Sequence, residues 1–278
     1  MRGMRLGMIA GLVLAAGGLA LAEEAPLERA REALRQRQFA EAIAAASEAI
    51  EQDAKPEQAY WVRGLAYEGE KNWPKAVEDF SEVLKRQPEA AEVYQQRGMA
   101  NFKGGRVEES LADFDRYLKL RPEQAPGHWM RGISCYYAGK FAEGQKQFEG
   151  YQTVDDNDVE NVVWRALCMA GAAGKEKARE EILAVGFDRR VPMPEVYELF
   201  AGKLKPEDVL KAAQAESPQP LEDRMFYAHL YLGLWYEMQG DAERSLAEMK
   251  LAAENPFPHY MGDVARVHLQ LRQTGKKQ

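Results

Sequence analysis

The sequence predicts an all-α fold, a solenoid of about six helix pairs closed by a C-terminal capping helix. Glycine recurs at a 34-residue step in Gly64, Gly98 and Gly132, each preceded by arginine and followed sixteen residues later by Phe80, Phe114 or Phe148. Small residues return between glycine and phenylalanine, at Ala76, Ser110 and Gly144, and Pro88 and Pro122 close two of the periods. A period of this length holds two helices and two turns, a unit too small to bury its apolar face except by stacking on its neighbours.

Taken in order, residues 1–22 read as a secretory signal peptide: Arg2 and Arg5, an apolar stretch from Leu6 to Leu19, then Ala20-Leu-Ala22 before Glu23. Cleavage after Ala22 is expected to place the protein outside the cytoplasm, periplasmic or secreted. The competing reading, an uncleaved anchor, has a short run diluted by Gly7, Gly11, Gly17 and Gly18. Residues 23–187 form the repeat array. Its first unit, 23–56, is alanine-rich, with Ala30, Ala42, Ala46 and Ala49 at packing positions, as befits an N-terminal cap. Unit 57–90 carries Tyr60, Gly64, Tyr67, Ala76, Phe80 and Pro88, and unit 91–124 carries Tyr94, Gly98, Ser110, Phe114 and Pro122. Unit 125–158 has His128, Gly132, Gly144 and Phe148, with Asp156 where the proline stood. Unit 159–187 keeps Ala166, Ala178, Ile182 and Val185, with Gly171 and Gly174 loosening its turn. Residues 188–225 are interrupted by Pro192, Pro194, Pro206, Pro218 and Pro220, leaving helical runs near 194–201 and 206–215 that start at prolines suited to a first helical turn. In 226–278, Gly233, Tyr236 and Ser245 restore the pattern around a Gly240-Asp241 turn, before a last helix near 261–271.

These units resemble the tetratricopeptide repeat. The segment from Asn255 to Tyr260 and the helix after it are similar to the closing part of bacterial NlpI-like periplasmic repeat proteins. The resemblance implies a right-handed superhelix in which the helices of a unit cross where only Gly, Ala or Ser fits, and an aromatic ring fills the space between units. It assigns repeat packing to Gly64, Ala76, Phe80, Gly98, Phe114, Gly132, Phe148 and Gly233. It also implies that first helices turn Trp61, Leu65, Gln95, Met99, Phe102, Trp129, Ile133, Tyr136 and Tyr137 to a concave, candidate peptide-binding face. An inner surface so aromatic and poor in charge suits apolar peptide side chains. The competing reading is that a helix of the chain itself, from the proline-rich segment or the C-terminus, folds into that groove. The lysine, asparagine and arginine of the carboxylate-clamp branch are missing at the corresponding places. By the NlpI-like similarity, envelope enzymes such as peptidoglycan hydrolases or a processing protease are the implied partners.

Charge narrows the partners. The chain carries −7, and loss of Arg2 and Arg5 with the signal leaves 35 basic against 44 acidic groups, a poor surface for nucleic acid. No cysteine follows the apolar segment, so no lipid anchor is expected. Cys135 and Cys168 fall on neighbouring first helices, where two small buried hydrophobes are preferred over a disulfide. His128, His229, His259 and His268 lack triad or metal-ligand company, and no nucleophile elbow, phosphate loop or dinucleotide fingerprint occurs. A non-enzymatic scaffold without cofactor is therefore expected. The alternatives are an enzyme hosted in 188–225 around Asp188, Arg189 and Arg190, and a homo-oligomer joined through Phe257, Tyr260, Val264 and Leu271. Arg63, Arg97 and Arg131 recur with Asp79 and Asp113, which predicts a ladder of ion pairs between helices rather than a ligand-binding row.

Overall fold

The computed structural model describes residues 25–52, 56–256 and 259–273; the signal segment 1–22 lies outside them. The described residues are all-helical, without a strand. The first four pairs are α1 (Pro26–Arg35) with α2 (Phe39–Glu51), α3 (Pro56–Gly69) with α4 (Trp73–Arg86), α5 (Ala91–Lys103) with α6 (Val107–Leu120), and α7 (Trp129–Tyr137) with α8 (Phe141–Tyr151). Three more follow: α9 (Val159–Ala173) with α10 (Lys175–Glu180), α11 (Met193–Phe200) with α12 (Pro206–Gln214), and α13 (Leu221–Gln239) with α14 (Ala242–Glu254). Helix α15 (Tyr260–Gln273) closes the chain.

The glycine–phenylalanine step sets how closely each pair crosses. A Cβ placed on Gly64 would stand 2.7 Å from Phe80 Cε1, on Gly98 2.7 Å from Phe114 Cε1, and on Gly132 2.5 Å from Phe148 Cζ. All three rings are buried. Gly98→Leu is therefore expected to cost about 1–3 kcal/mol by overpacking, read as a lower chemical-denaturation midpoint at unchanged slope. An unchanged midpoint would mean that this ring does not lie against the glycine.

Two further periodicities run with it. The turn inside each of the first four pairs places a residue in the left-handed region at the same 34-residue step: Arg37 (φ 59°), Lys71 (φ 58°), Gly105 (φ 74°) and Gly139 (φ 69°). The arginine before each glycine joins units. Arg63 grips Asp79 with Nε and Nη2, both at 2.8 Å, while Nη1 donates to Ser47 Oγ of the preceding unit at 2.9 Å. Arg97 repeats this on Asp113 (3.0 and 2.6 Å) and Ser81 (2.9 Å). Arg131 reaches back to Asp115 at 2.6 Å, and Arg165 to Glu149 at 3.1 Å and forward to the Glu181 carbonyl at 2.7 Å. The ladder is structural: its arginines are committed to neighbouring helices.

The largest apolar cluster runs from Phe102 and Val107 of the third unit to Leu271, joining the later units to the C-terminal helices. Helix α13 is its axis, with Phe226, Leu230, Tyr231 and Leu234 all fully buried. An apolar surface on every side suits a helix surrounded by others. It ends at Gly240, whose φ of 83° needs no Cβ. Cys135 and Cys168 are free, buried thiols, and burial pushes Cys135 up to about 12.

Candidate functional site

The inner face of the first helices is not one open groove. Helix α15 packs against α5 as well as α14, laying the Tyr260 ring on Phe102 (centroids 5.3 Å apart) and edge-on to Trp129 (5.1 Å). The Tyr137 hydroxyl shares a hydrogen bond with His268 Nδ1 at 3.1 Å, and Tyr136 donates to Glu237 Oε2 at 2.7 Å. Glu237 also pairs with Arg272, so α13 and α15 are fastened together beneath these rings. Phe102, Ile133, Tyr136 and Tyr137, expected to line a peptide groove, are thus core residues, because the C-terminal helices occupy the space that peptide would take. The same packing corrects the homo-oligomer surface: Val264 and Leu271 are buried within the chain and Tyr260 is stacked, while Phe257 lies outside the described residues.

What remains partly buried rather than covered is the N-terminal stretch of that face, Trp61, Leu65, Gln95 and Met99, with Trp129 at its border. Helix α3, which carries Trp61 and Leu65, packs on α1, α2 and α4. Trp61 leans on Phe80 at 5.4 Å. Gln95 is partly spent on the next unit, donating to Met130 sulfur at 3.8 Å and facing His128 at 2.7 Å.

His128 caps α7. Its Nδ1 accepts the Arg131 N–H at 3.1 Å, which leaves Nε2 to carry the proton and donate to Gln95 Oε1. Burial lowers this imidazole to about 4, with Arg131 lowering and Asp115 raising it. A folded value below the unfolded one means stability is fully present above about pH 6.5 and is lost as pH falls toward 4. His128→Asn keeps a capping oxygen but does not titrate. Wild type is therefore expected to lose roughly 2 kcal/mol more than this variant between about pH 7 and 4.5, measured by denaturant unfolding at both. Equal losses would refute the buried neutral histidine.

At the junction of α9, the 188–190 loop and α13 stands a charged cluster that the sequence only hinted at. Arg190 Nη2 meets Asp158 Oδ1 and Asp188 Oδ2, both at 2.6 Å, its Nε meets Asp188 Oδ1 at 3.0 Å, and its Nη1 meets Glu160. Asp158 also caps α9 through the Glu160 N–H at 3.1 Å, Asp188 accepts from Val159 N at 3.2 Å, and Tyr231 donates to Glu160. Burial raises Asp158 and Glu160 above their ordinary range, against the pull of Arg190. Beside the cluster opens a cleft of about 150 Å³ lined by Trp129, Phe148, Tyr151, Asp158, Glu160, Asn161, Trp164 and His259, among others. Asp188 and Arg190, noted in the sequence as a candidate enzyme pocket, serve as this ion network, whereas Arg189 is exposed. Asp158, Glu160 and Trp164 were missed because they stand off the repeat's packing positions.

The class defined by this architecture is a helical-repeat solenoid. Residues 27–82 and 67–125 match the tetratricopeptide repeat family profile. Over residues 27–125 the chain is thus made of tetratricopeptide repeats. No curated protein sequence matches it significantly. Among solved structures it is similar to a tetratricopeptide repeat protein from Parabacteroides merdae, at a TM-score of 0.58 and 13% identity over 89% of this chain and 97% of that one. It is also similar to PilW, a type IV pilus biogenesis factor (0.48, 19% identity, 86% and 96% covered), and to Pseudomonas aeruginosa pilF (0.47, 16% identity, 91% and 96% covered).

Proposed function

We propose that this protein is a non-enzymatic scaffold that holds a segment of another protein along the inner face of its N-terminal repeats. The observation that carries this reading is the contrast along one face. In the third and fourth units the inner aromatics already hold a helix, α15, against Phe102 and Trp129, whereas Trp61, Leu65 and Met99 are only partly buried beyond it. A face of this composition is suited to an amphipathic helix or extended peptide, whose apolar side chains give up their contact with water there. With the secretory pattern of residues 1–22, the reading extends to an exported adaptor of the cell envelope that recruits envelope enzymes, by analogy with NlpI-like proteins.

Affinity capture from native envelope, with wild type beside a Trp61→Ala, Met99→Ala double variant, tests the groove. The expected result is a protein retained by wild type and lost from the variant, at equal helical content by circular dichroism. Identical captured sets would place binding elsewhere. Fractionation of cells expressing the full chain tests export: a periplasmic product shorter by residues 1–22 is expected, and a full-length cytosolic product would overturn it.

A further inference from the structure

The cleft beside Arg190 is acidic and aromatic at once. Asp158, Glu160 and Asp188 face one cation, Arg190, so the cluster sets three carboxyl groups against one guanidinium. His259 stands on the cleft wall, where burial and then Arg190 lower its imidazole and so favour the neutral form. Asp158 gives Oδ1 to Arg190 and to the Glu160 N–H, while no described residue donates to Oδ2. Asn161, 3% exposed and part of the same wall, donates its amide nitrogen to the Phe148 carbonyl at 3.0 Å and has no partner for its Oδ1. No group of His, Cys, Asp and Glu side chains among the described residues is arranged to hold a metal ion. Rings of Trp129, Phe148, Tyr151 and Trp164, with Ile133 and Met261, form the remaining walls, and the buried Trp164 Nε1–H has no partner among the described residues.

Carboxylate oxygens, an unsatisfied amide carbonyl and indole and phenol rings share one preference, a positively charged group whose surface is largely hydrocarbon. A volume of about 150 Å³ admits a group the size of benzene, and so an alkylammonium head. We propose that this cleft binds an organic ammonium cation, either a free alkylamine or the amine of a partner's lysine side chain. The site is separate from the N-terminal groove, and its occupancy does not depend on that reading.

Tryptophan fluorescence of the full chain, titrated with choline, with the uncharged carbon isostere of choline and with N-acetyl-lysine methylamide, tests this through Trp129 and Trp164. A saturable change is expected with at least one cation and a response about tenfold weaker with the isostere. Choline alone binding identifies a free quaternary amine; the lysine derivative alone binding identifies a protein side chain. Asp158→Asn removes a charge while keeping a good helix cap, and is expected to weaken the cation about tenfold at unchanged helical content. Trp129→Ala, checked the same way, should weaken it too. The Trp61→Ala, Met99→Ala variant of the groove should bind the cation as wild type does. Equal binding of cation and isostere, full affinity in Asp158→Asn, or no response to either cation would overturn the proposal.

Discussion

Arg190→Ala is expected to cost about 3–5 kcal/mol of folding stability at neutral pH. Three carboxylates converge on this guanidinium, and the Asp188 and Glu160 side chains are only 5% and 13% exposed. With the arginine gone they face one another in a site that water reaches poorly, and like charges at such distance disfavour the ionised forms. Burial already holds Asp158 and Glu160 above their unfolded values. Loss of the cation raises them further. A carboxylate raised in the folded state contributes stability that is present at low pH and lost as pH rises through the folded value. The deficit of the variant should therefore be largest near pH 7 and shrink toward about pH 4.5, measured by denaturant unfolding at both. Arg190→Lys should recover part of the loss, because it restores charge but not the fork that reaches three partners. A deficit under about 1 kcal/mol, alike at both pH values, is what an exposed surface pair would give, and would remove Arg190 as the clasp between α9 and its loop.

The pairs were legible in the sequence wherever their chemistry recurs in step. Glycine and phenylalanine sixteen residues apart are a packing contact written into the chain, and arginine and aspartate beside them travel at the same interval, so ring, crossing and ion pair all follow from one period. The serine rungs at Ser47 and Ser81 were not legible, since serine carries no charge to match, nor was the left-handed turn at Arg37 and Lys71, where the residue type gives no hint of positive φ. Gly105 and Gly139, one and two periods further on, did carry that hint.

Contacts that break the period escaped the sequence. Tyr136 finds Glu237 at a separation of 101 residues and Tyr137 finds His268 at 131, and neither contact joins neighbouring units. Aromatic residues on an inner helix face look the same whether a partner peptide or the chain's own helix will cover them. The cluster around Arg190 has the same origin, since Asp158 and Glu160 lie 32 and 30 residues before it, off the repeat step. This junction forms where the solenoid stops repeating, which a repeat pattern cannot announce.

Tyr136→Ala separates the two views of the groove by its cost. On an open concave surface, truncating the ring would change stability by about 0.5 kcal/mol or less. In the structure the residue is 4% exposed, packs edge-on to Trp164 at 5.4 Å and to Tyr137 at 5.1 Å, and donates to Glu237. Removing such a ring is expected to cost about 3–5 kcal/mol, from lost transfer free energy and the cavity left among rings that cannot close up. Tyr136→Phe keeps the ring and drops only the hydroxyl. Glu237 then retains Arg272 but loses one donor, for about 1–2 kcal/mol. The ratio of the two losses is the informative quantity: a large alanine loss with a small phenylalanine loss places the ring in the core with α13 and α15 over it. Near-neutral results for both would mean that those helices do not cover this face in solution, and would return Tyr136 and Tyr137 to the partner-binding surface.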